Sequence, residues 1–353
     1  MKTAQVSAQI ASLPYDVLRI IFQWATFVPN AFDIHEPDSF AYPAPWPQEK
    51  IQAALFKSMY TNYCLALVCK AWNDVATPLL YRSICISKRK PFMALLRSMQ
   101  VTLTEDHNRS ADMAKSSSKG KWTRRLDILY RDKTVLHASS FARFLKCLPN
   151  LQIIVQRGTF LMLKRSDFHL SIFVVLPALV SQSLHVLDVK CSYDYDSTNG
   201  HNHPNAARIT DAVGNQPLHT LKVCPVAAGR THKQHAFLSS IECLDTSQHF
   251  INPILSDICL APKLKRISLN AGYGDGPGPY SKCLAQITSG IGQLEIDTTT
   301  SDPGHALSLH DVANLFPNLH NLVVTLDVLT PHVLSEYLPP VVNLGIHTTT
   351  LWQ

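Results

Sequence analysis

The residues with the most evident chemical potential lie in two polar stretches. SYDYDSTNGHNHPN (192–205) places His201 and His203 one residue apart, with Cys191, Asp194 and Asp196 nearby. Imidazole, carboxylate and thiolate are the groups that hold zinc, but zinc sites draw paired ligands from two arms, and no second pair has that spacing. Loop composition accounts for these histidines, and no metal site is expected. GYGDGPGP (272–279) is glycine-rich enough to suggest a phosphate cradle. It lacks the Lys-Ser/Thr of a P-loop and opens no helix with GxGxxG, so it reads as a long turn. Tyr273 and Asp275 within it are candidates for touching a bound partner, because binding residues concentrate on loops held by a rigid scaffold. With sixteen histidines in the chain, chance pairs with Ser or Cys mean nothing without geometry. No catalytic residue and no cofactor are expected, and the chain is not read as an enzyme.

Composition narrows the classes further. Nine cysteines, an odd number with no CxxC pair, sit mostly among apolar neighbours. That suits reduced thiols in a cytoplasmic or nuclear protein better than a disulfide framework. The net charge of +6 over 353 residues is too dilute to indicate nucleic acid unless it gathers on one face. The longest uncharged apolar run, Ile172–Val180, is broken by Pro177 and is far shorter than the roughly 20 residues of a membrane span. Only 16% of residues are charged, against about a quarter in ordinary domains, which favours extensive internal packing.

Two helices are legible near the front. In SLPYDVLRIIFQW, Leu13, Val17, Ile20, Ile21 and Trp24 share one helical face, while Leu18 and Phe22 make the other side apolar too. Pro14 suits the first turn and Asp16 the positive end of the helix dipole. A helix apolar on both sides must be covered on both. LALVCKAWNDVAT repeats the pattern, with Leu65, Val68, Cys69, Trp72, Val75 and Ala76 on one face. Thr77-Pro78 is expected to end that helix, since a residue before proline avoids the helical region. LLYRSICIS then alternates as a strand.

Leu13-Pro14-x-Asp16-Val17-Leu18-x-x-Ile21-Phe22, with Leu67-Val68-Cys69-Lys70-x-Trp72 and Pro78-Leu79-Leu80-Tyr81, resembles the F-box motif, in the version found in the large families of mushroom-forming fungi. The resemblance covers about residues 12–86. It implies a small helical unit docking on a Skp-type adaptor and, through it, on a cullin-RING ubiquitin ligase, in a substrate receptor with an unidentified target protein. The adaptor side it implies is Leu13, Pro14, Val17, Leu18, Ile21, Phe22, Val68, Cys69 and Trp72. The two half-motifs stand further apart than the family usually has them. The excess, about residues 28–59, is proline-rich and reads as an inserted loop that could shield the docking face.

Behind this 1–86 region, 102–125 is polar and Ser/Lys-rich and reads as an exposed loop or linker, its Lys115, Lys119, Lys121, Arg124 and Arg125 solvated. Then a strand-like unit recurs, anchored on Leu126, Leu151, Leu184, Leu218, Ile241, Leu264, Ile291, Leu319 and Val341. The mean spacing is about 27 residues, within reach of leucine-rich repeats. Several units follow a helix and a turn, as in SSFARFLKCLPNLQ. The usual asparagine after the strand is mostly missing, with Asn270 the nearest candidate. The expected fold is α/β: a small helical F-box followed, over 80–101 and 126–353, by an irregular repeat solenoid with a curved, largely parallel sheet. A mixed α/β domain with similar local units is the alternative architecture. A repeat-based interaction scaffold whose F-box is only a structural cap is the alternative function.

Overall fold

The computed structural model describes residues 13–35, 40, 48–104, 119–129, 136–158, 162–165, 168–171, 183–191, 217–223, 240–247, 262–270, 290–297, 312, 314, 316–326 and 340–348. The chain is mixed α/β. Helices α1 (Tyr15–Ala25), α2 (Gln48–Ala66) and α3 (Lys70–Leu80) precede strand β1 (Ser83–Ile86) and helix α4 (Arg89–Thr104). A 3-10 turn (Lys119–Trp122), β2 (Arg125–Ile128), β3 (Leu136–His137), α5 (Ala138–Lys146) and β4 (Ile153–Gly158) follow. β5 (Met162–Arg165) and β6 (Phe168–Ser171) join β3 in a three-stranded sheet. The remaining strands are β7 (Val186–Cys191), β8 (Thr220–Val223), β9 (Cys243–Ser247), β10 (Arg266–Asn270), β11 (Gln293–Asp297), β12 (Asn321–Leu326) and β13 (Asn343–Thr348).

Ten strands form one parallel sheet in the order β1-β2-β4-β7-β8-β9-β10-β11-β12-β13, so spatial order follows chain order. Parallel neighbours need crossovers of a dozen or more residues, which the repeat spacing supplies. Register is constant. Ile84, Leu126, Ile154, Leu187, Leu221, Leu244, Ile267, Leu294, Leu322 and Leu344 stand side by side across the sheet. All but Leu344 are buried, and with α4 and α5 they line one continuous core reaching from Ile84 to Val324. Phe92 of α4 meets Phe144 of α5 edge-on at 5.3 Å and lies 6.0 Å from Phe141, joining both helices to that core.

A second regularity lies at the strand entries. The carbonyl of the residue before each strand accepts two amides from the next unit. Gln152 O receives His185 N (2.8 Å) and Val186 N (3.0 Å), and His185 O receives His219 N (2.8 Å) and Thr220 N (3.1 Å). The same fork runs from Arg82 through Arg124 and on to Glu242, Lys265, Gly292 and His320. It settles the backbone polar groups where strands begin, a requirement for buried chain.

Several expectations need correction. The anchors from Leu151 to Leu319 are buried two residues before their strands, but Leu126 pairs with Ile154 rather than aligning with Leu151. Thr123 takes the anchor position in that unit, fully buried, its hydroxyl donating to Tyr81 O at 2.9 Å. The 102–125 stretch is therefore not a loop throughout: α4 runs to Thr104, and Gly120, Thr123 and Arg125 are buried, whereas Arg124 is exposed as expected. Lys119 and Lys121 lie over the rings of Tyr81 and Trp122, and Arg125 is buried; Lys115 lies outside the described residues. Asn270 ends β10 rather than a turn.

The second front helix is two helices. α2 ends at Ala66, Leu67 and Val68 turn, and Cys69 is extended (φ −162°, ψ 170°) as the cap of α3. Asn73 holds the break by donating its amide to Ala66 O at 3.0 Å, where the helix end leaves carbonyls unpaired. Pro78 does not stop α3. It sits in the last turn, and Tyr81 N still reaches Thr77 O at 3.1 Å. Residues 48–59, expected as loop, are the first turns of α2, with Ile51 and Leu55 buried at i, i+4.

Candidate functional site

Two surfaces gather the residues of interest. The first is built on α1. Pro14 caps it in an extended conformation, one place before the first turn, and Leu18 N bonds Pro14 O at 3.1 Å. Leu18 and Phe22 are 3% and 2% exposed, packed with Ala66, Val75 and Ala76. Trp72 joins them, its ring 5.0 Å from Phe22 at 69°. The narrower apolar side of α1 thus faces inward. The wider one, Leu13, Val17, Ile20, Ile21 and Trp24, is exposed, with Ile20 at 51% and Trp24 at 76%. Leu67 and Val68, in the α2–α3 turn, are exposed too, and so are Pro14 and Cys69.

The nine residues that the F-box resemblance singles out therefore divide into two groups. Leu18, Phe22 and Trp72 hold the helices together, whereas Leu13, Pro14, Val17, Ile21, Val68 and Cys69 are exposed. Ile20, Trp24 and Leu67 extend that surface; helical spacing marked the first two, but the count of apolar residues alone could not tell which face would be inside. Tyr273 and Asp275 lie outside the described residues, as do His201 and His203.

The second surface is the sheet face opposite the core, together with the strand entries. Here the inserted segment is anchored. Arg125 grips Asp127 through Nε (2.8 Å) and Nη2 (2.9 Å), both residues being buried. Its Nη1 donates to Ala31 O at 2.8 Å and Nη2 to Gln48 Oε1 at 3.1 Å, while Gln52 donates to Asp127 Oδ1 at 3.2 Å. A bidentate guanidinium–carboxylate pair with its remaining donors satisfied is a form in which buried charge is tolerated. Cys85, beside this pair on β1, has its thiol pushed up to about 12, chiefly by burial and then by the Asp127 charge.

Further along the sheet, Arg157 clasps Asp188 with two bonds of 2.6 Å, and Arg266 binds Glu295. Burial works against the Arg157 charge, but Asp188 more than offsets it and raises the guanidinium above its ordinary value. The segment returns to the sheet at His35, whose ring lies 5.0 Å from that of His219 and whose Nδ1 is 3.6 Å from Glu242 Oε2. His219 Nδ1 is 3.3 Å from Glu242 Oε1. Burial lowers the His219 pKa, and the Glu242 hydrogen bond only partly restores it. Phe40 reaches β13, where a Cβ on Gly345 would meet its ring at 3.4 Å.

Ala31, His35 and Phe40 of the insertion thus reach the sheet, while the wide face of α1 stays exposed. Sequence reasoning missed His35, His219 and Glu242 because they come from distant parts of the chain. The signal was present only as polar residues at the place before each strand. A cavity of about 400 Å³ adjoins them, lined by Lys265, Arg266, Gln293, His320 and Asn321 among others. Among the described residues no helix is long and apolar enough to cross a membrane. No protein-family model matches the chain, and no curated protein matches it.

Proposed function

We propose that the chain is a substrate-recognition subunit of a cullin-RING ubiquitin ligase, docking on a Skp-type adaptor through α1 and the α2–α3 turn and receiving a target protein on a leucine-rich-repeat-like solenoid. What supports this reading is the exposed stripe of Leu13, Val17, Ile20, Ile21 and Trp24 on α1, together with the exposed Leu67 and Val68 of the α2–α3 turn. Contiguous exposed apolar surface of this kind is characteristic of interaction sites, and helix faces with such spacing commonly enter a groove on a partner. In this reading the chain makes and breaks no bonds. It contributes proximity, holding a target beside the ubiquitin-carrying enzyme and so removing an entropic barrier.

Co-expression with a Skp-type adaptor, followed by size exclusion, tests the reading. A stable 1:1 complex is expected from wild type, and Ile21→Glu or Val17→Glu should abolish it while circular dichroism stays unchanged, because both side chains are exposed. Phe22→Ala should instead lower stability by about 3–5 kcal/mol, since it empties a packed site. Absence of a complex from the folded wild-type chain would leave the second reading, a repeat scaffold capped by an F-box remnant. The observation favouring that reading is the inserted segment itself, which already occupies part of the sheet face through Ala31 and His35.

A further inference from the structure

The geometry points to a binding site for a divalent cation of the zinc class, formed by His35, His219 and Glu242 where the inserted segment meets the entries of β8 and β9. This inference stands apart from the receptor reading and would hold equally for a scaffold.

Each of the three residues can offer one ligand atom, and these atoms all lie within 4.8 Å of one another. Around a tetrahedral zinc, with bonds of about 2.0–2.2 Å to nitrogen and oxygen, neighbouring ligand atoms stand roughly 3.3–3.6 Å apart. His219 Nδ1 lies 3.3 Å from Glu242 Oε1 and His35 Nδ1 lies 3.6 Å from Oε2, so the two imidazoles flank opposite oxygens of one carboxylate. A bidentate carboxylate, or a small turn of its exposed neighbour His35, brings all three residues to one ion. Two imidazoles and a carboxylate form a donor set that suits zinc and its first-row neighbours, rather than calcium or magnesium, which take mostly oxygen. Three protein ligands leave a fourth position for water, and the His35 side chain, 63% exposed, leaves the site open to solvent.

One neighbour competes. Lys265 Nζ lies 3.9 Å from Glu242 Oε2 and balances the carboxylate in the metal-free chain. Its side chain is 73% exposed, so it can swing into water when a cation takes its place. The next imidazole along, His185, lies 5.1 Å from His219 between ring centres. Its Nδ1 donates to Pro217 O at 3.1 Å, which ties that nitrogen to the backbone and leaves it outside the cluster.

The consequence is structural. His35 belongs to the insertion, whereas His219 and Glu242 belong to consecutive units of the sheet. A bound cation would fasten the segment across the strand entries, beside the 400 Å³ cavity, and so regulate access to that part of the sheet.

The test uses the full chain, stripped with a chelator, titrated with Zn(II) by calorimetry and with Co(II) by visible absorption. One equivalent is expected, with the d–d bands of low-coordinate cobalt. His35→Ala and Glu242→Gln should each weaken binding at least tenfold; both can be checked by circular dichroism, and the exposed position of His35 makes its variant the safer control for folding. Lys265→Met should tighten binding several-fold, which a merely structural role for the cluster would not produce. A double His201→Ala/His203→Ala variant should bind as wild type does. Absence of binding at millimolar metal, or one equivalent bound equally well by His35→Ala and Glu242→Gln, would overturn the proposal.

Discussion

Arg125 and Asp127 show how much one pair of side chains can settle. They are two residues apart on a strand, so both point to the same side of the sheet, and the guanidinium has donors left over for Ala31 O and Gln48. Removing one partner leaves the other charged, buried and unmatched. Asp127→Ala should therefore lose about 3–5 kcal/mol in chemical denaturation, whereas the double replacement Arg125→Met/Asp127→Leu should recover most of it. In the sequence Arg125 was one of five basic residues in a polar stretch. Nothing in their spacing separates the one that is buried from those near the surface; its carboxylate partner and the carbonyl it reaches do so.

Cys85 sits beside that pair. A thiol whose folded value is raised to about 12 stays protonated where the unfolded chain has begun to ionise. Its contribution is intact below about pH 8.5 and is lost progressively as pH rises from there towards 12. Denaturation at pH 8 and pH 10 should show wild type losing about 2 kcal/mol more between the two than Cys85→Ala does. Among the cysteines whose burial is described, alkylation at neutral pH should label the exposed Cys64 and Cys69 first and leave Cys85 and the buried Cys147 and Cys243 for the unfolded chain.

At the scale of elements, local pattern served well where one face decides and poorly where two compete. α5 was legible because Phe141, Phe144 and Leu145 mark a single buried side. α1 was legible as a helix, but two apolar sides left its orientation open. The break between α2 and α3 was hidden because Leu65, Val68, Cys69 and Trp72 keep helical spacing through it; Asn73, which caps the end of α2, was the overlooked sign. Pro78 misled for the opposite reason, since a proline in a last turn removes one bond from a helix that is about to end anyway. The 3-10 turn at 119–122 was read as solvated, yet Gly120 there lies so close to α5's exit that a Cβ would stand 1.8 Å from Cys147 O. Backbone must move to admit it, so Gly120→Ala should cost about 3 kcal/mol in thermal or chemical unfolding.

Over the whole molecule, the α/β class and a largely parallel sheet could be read from nine spaced apolar anchors, because a core column repeated at every unit writes itself directly into the sequence. The course of the insertion could not. Its contacts at Arg125, at Glu242 and at Gly345 join one short segment to strands from β2 to β13, and no periodic signal records a contact between residues so far apart in sequence. The same limit hid the His35–His219–Glu242 cluster, whose members look like isolated polar residues until the sheet brings them together.

The forked carbonyls at the strand entries also bear on how such a chain can change over time. Each rung involves the backbone of two successive units only, so its geometry is indifferent to side-chain identity and to the length of what loops out between. Residues can be gained or lost in those intervals without altering the pitch of the stack, and the uneven spacing of the units is what such drift would leave behind. A proline arriving at one of the donating positions, Gln152 or His185 for instance, is a different matter. It would remove one of the two amides that the preceding carbonyl accepts, and no neighbouring unit could replace it.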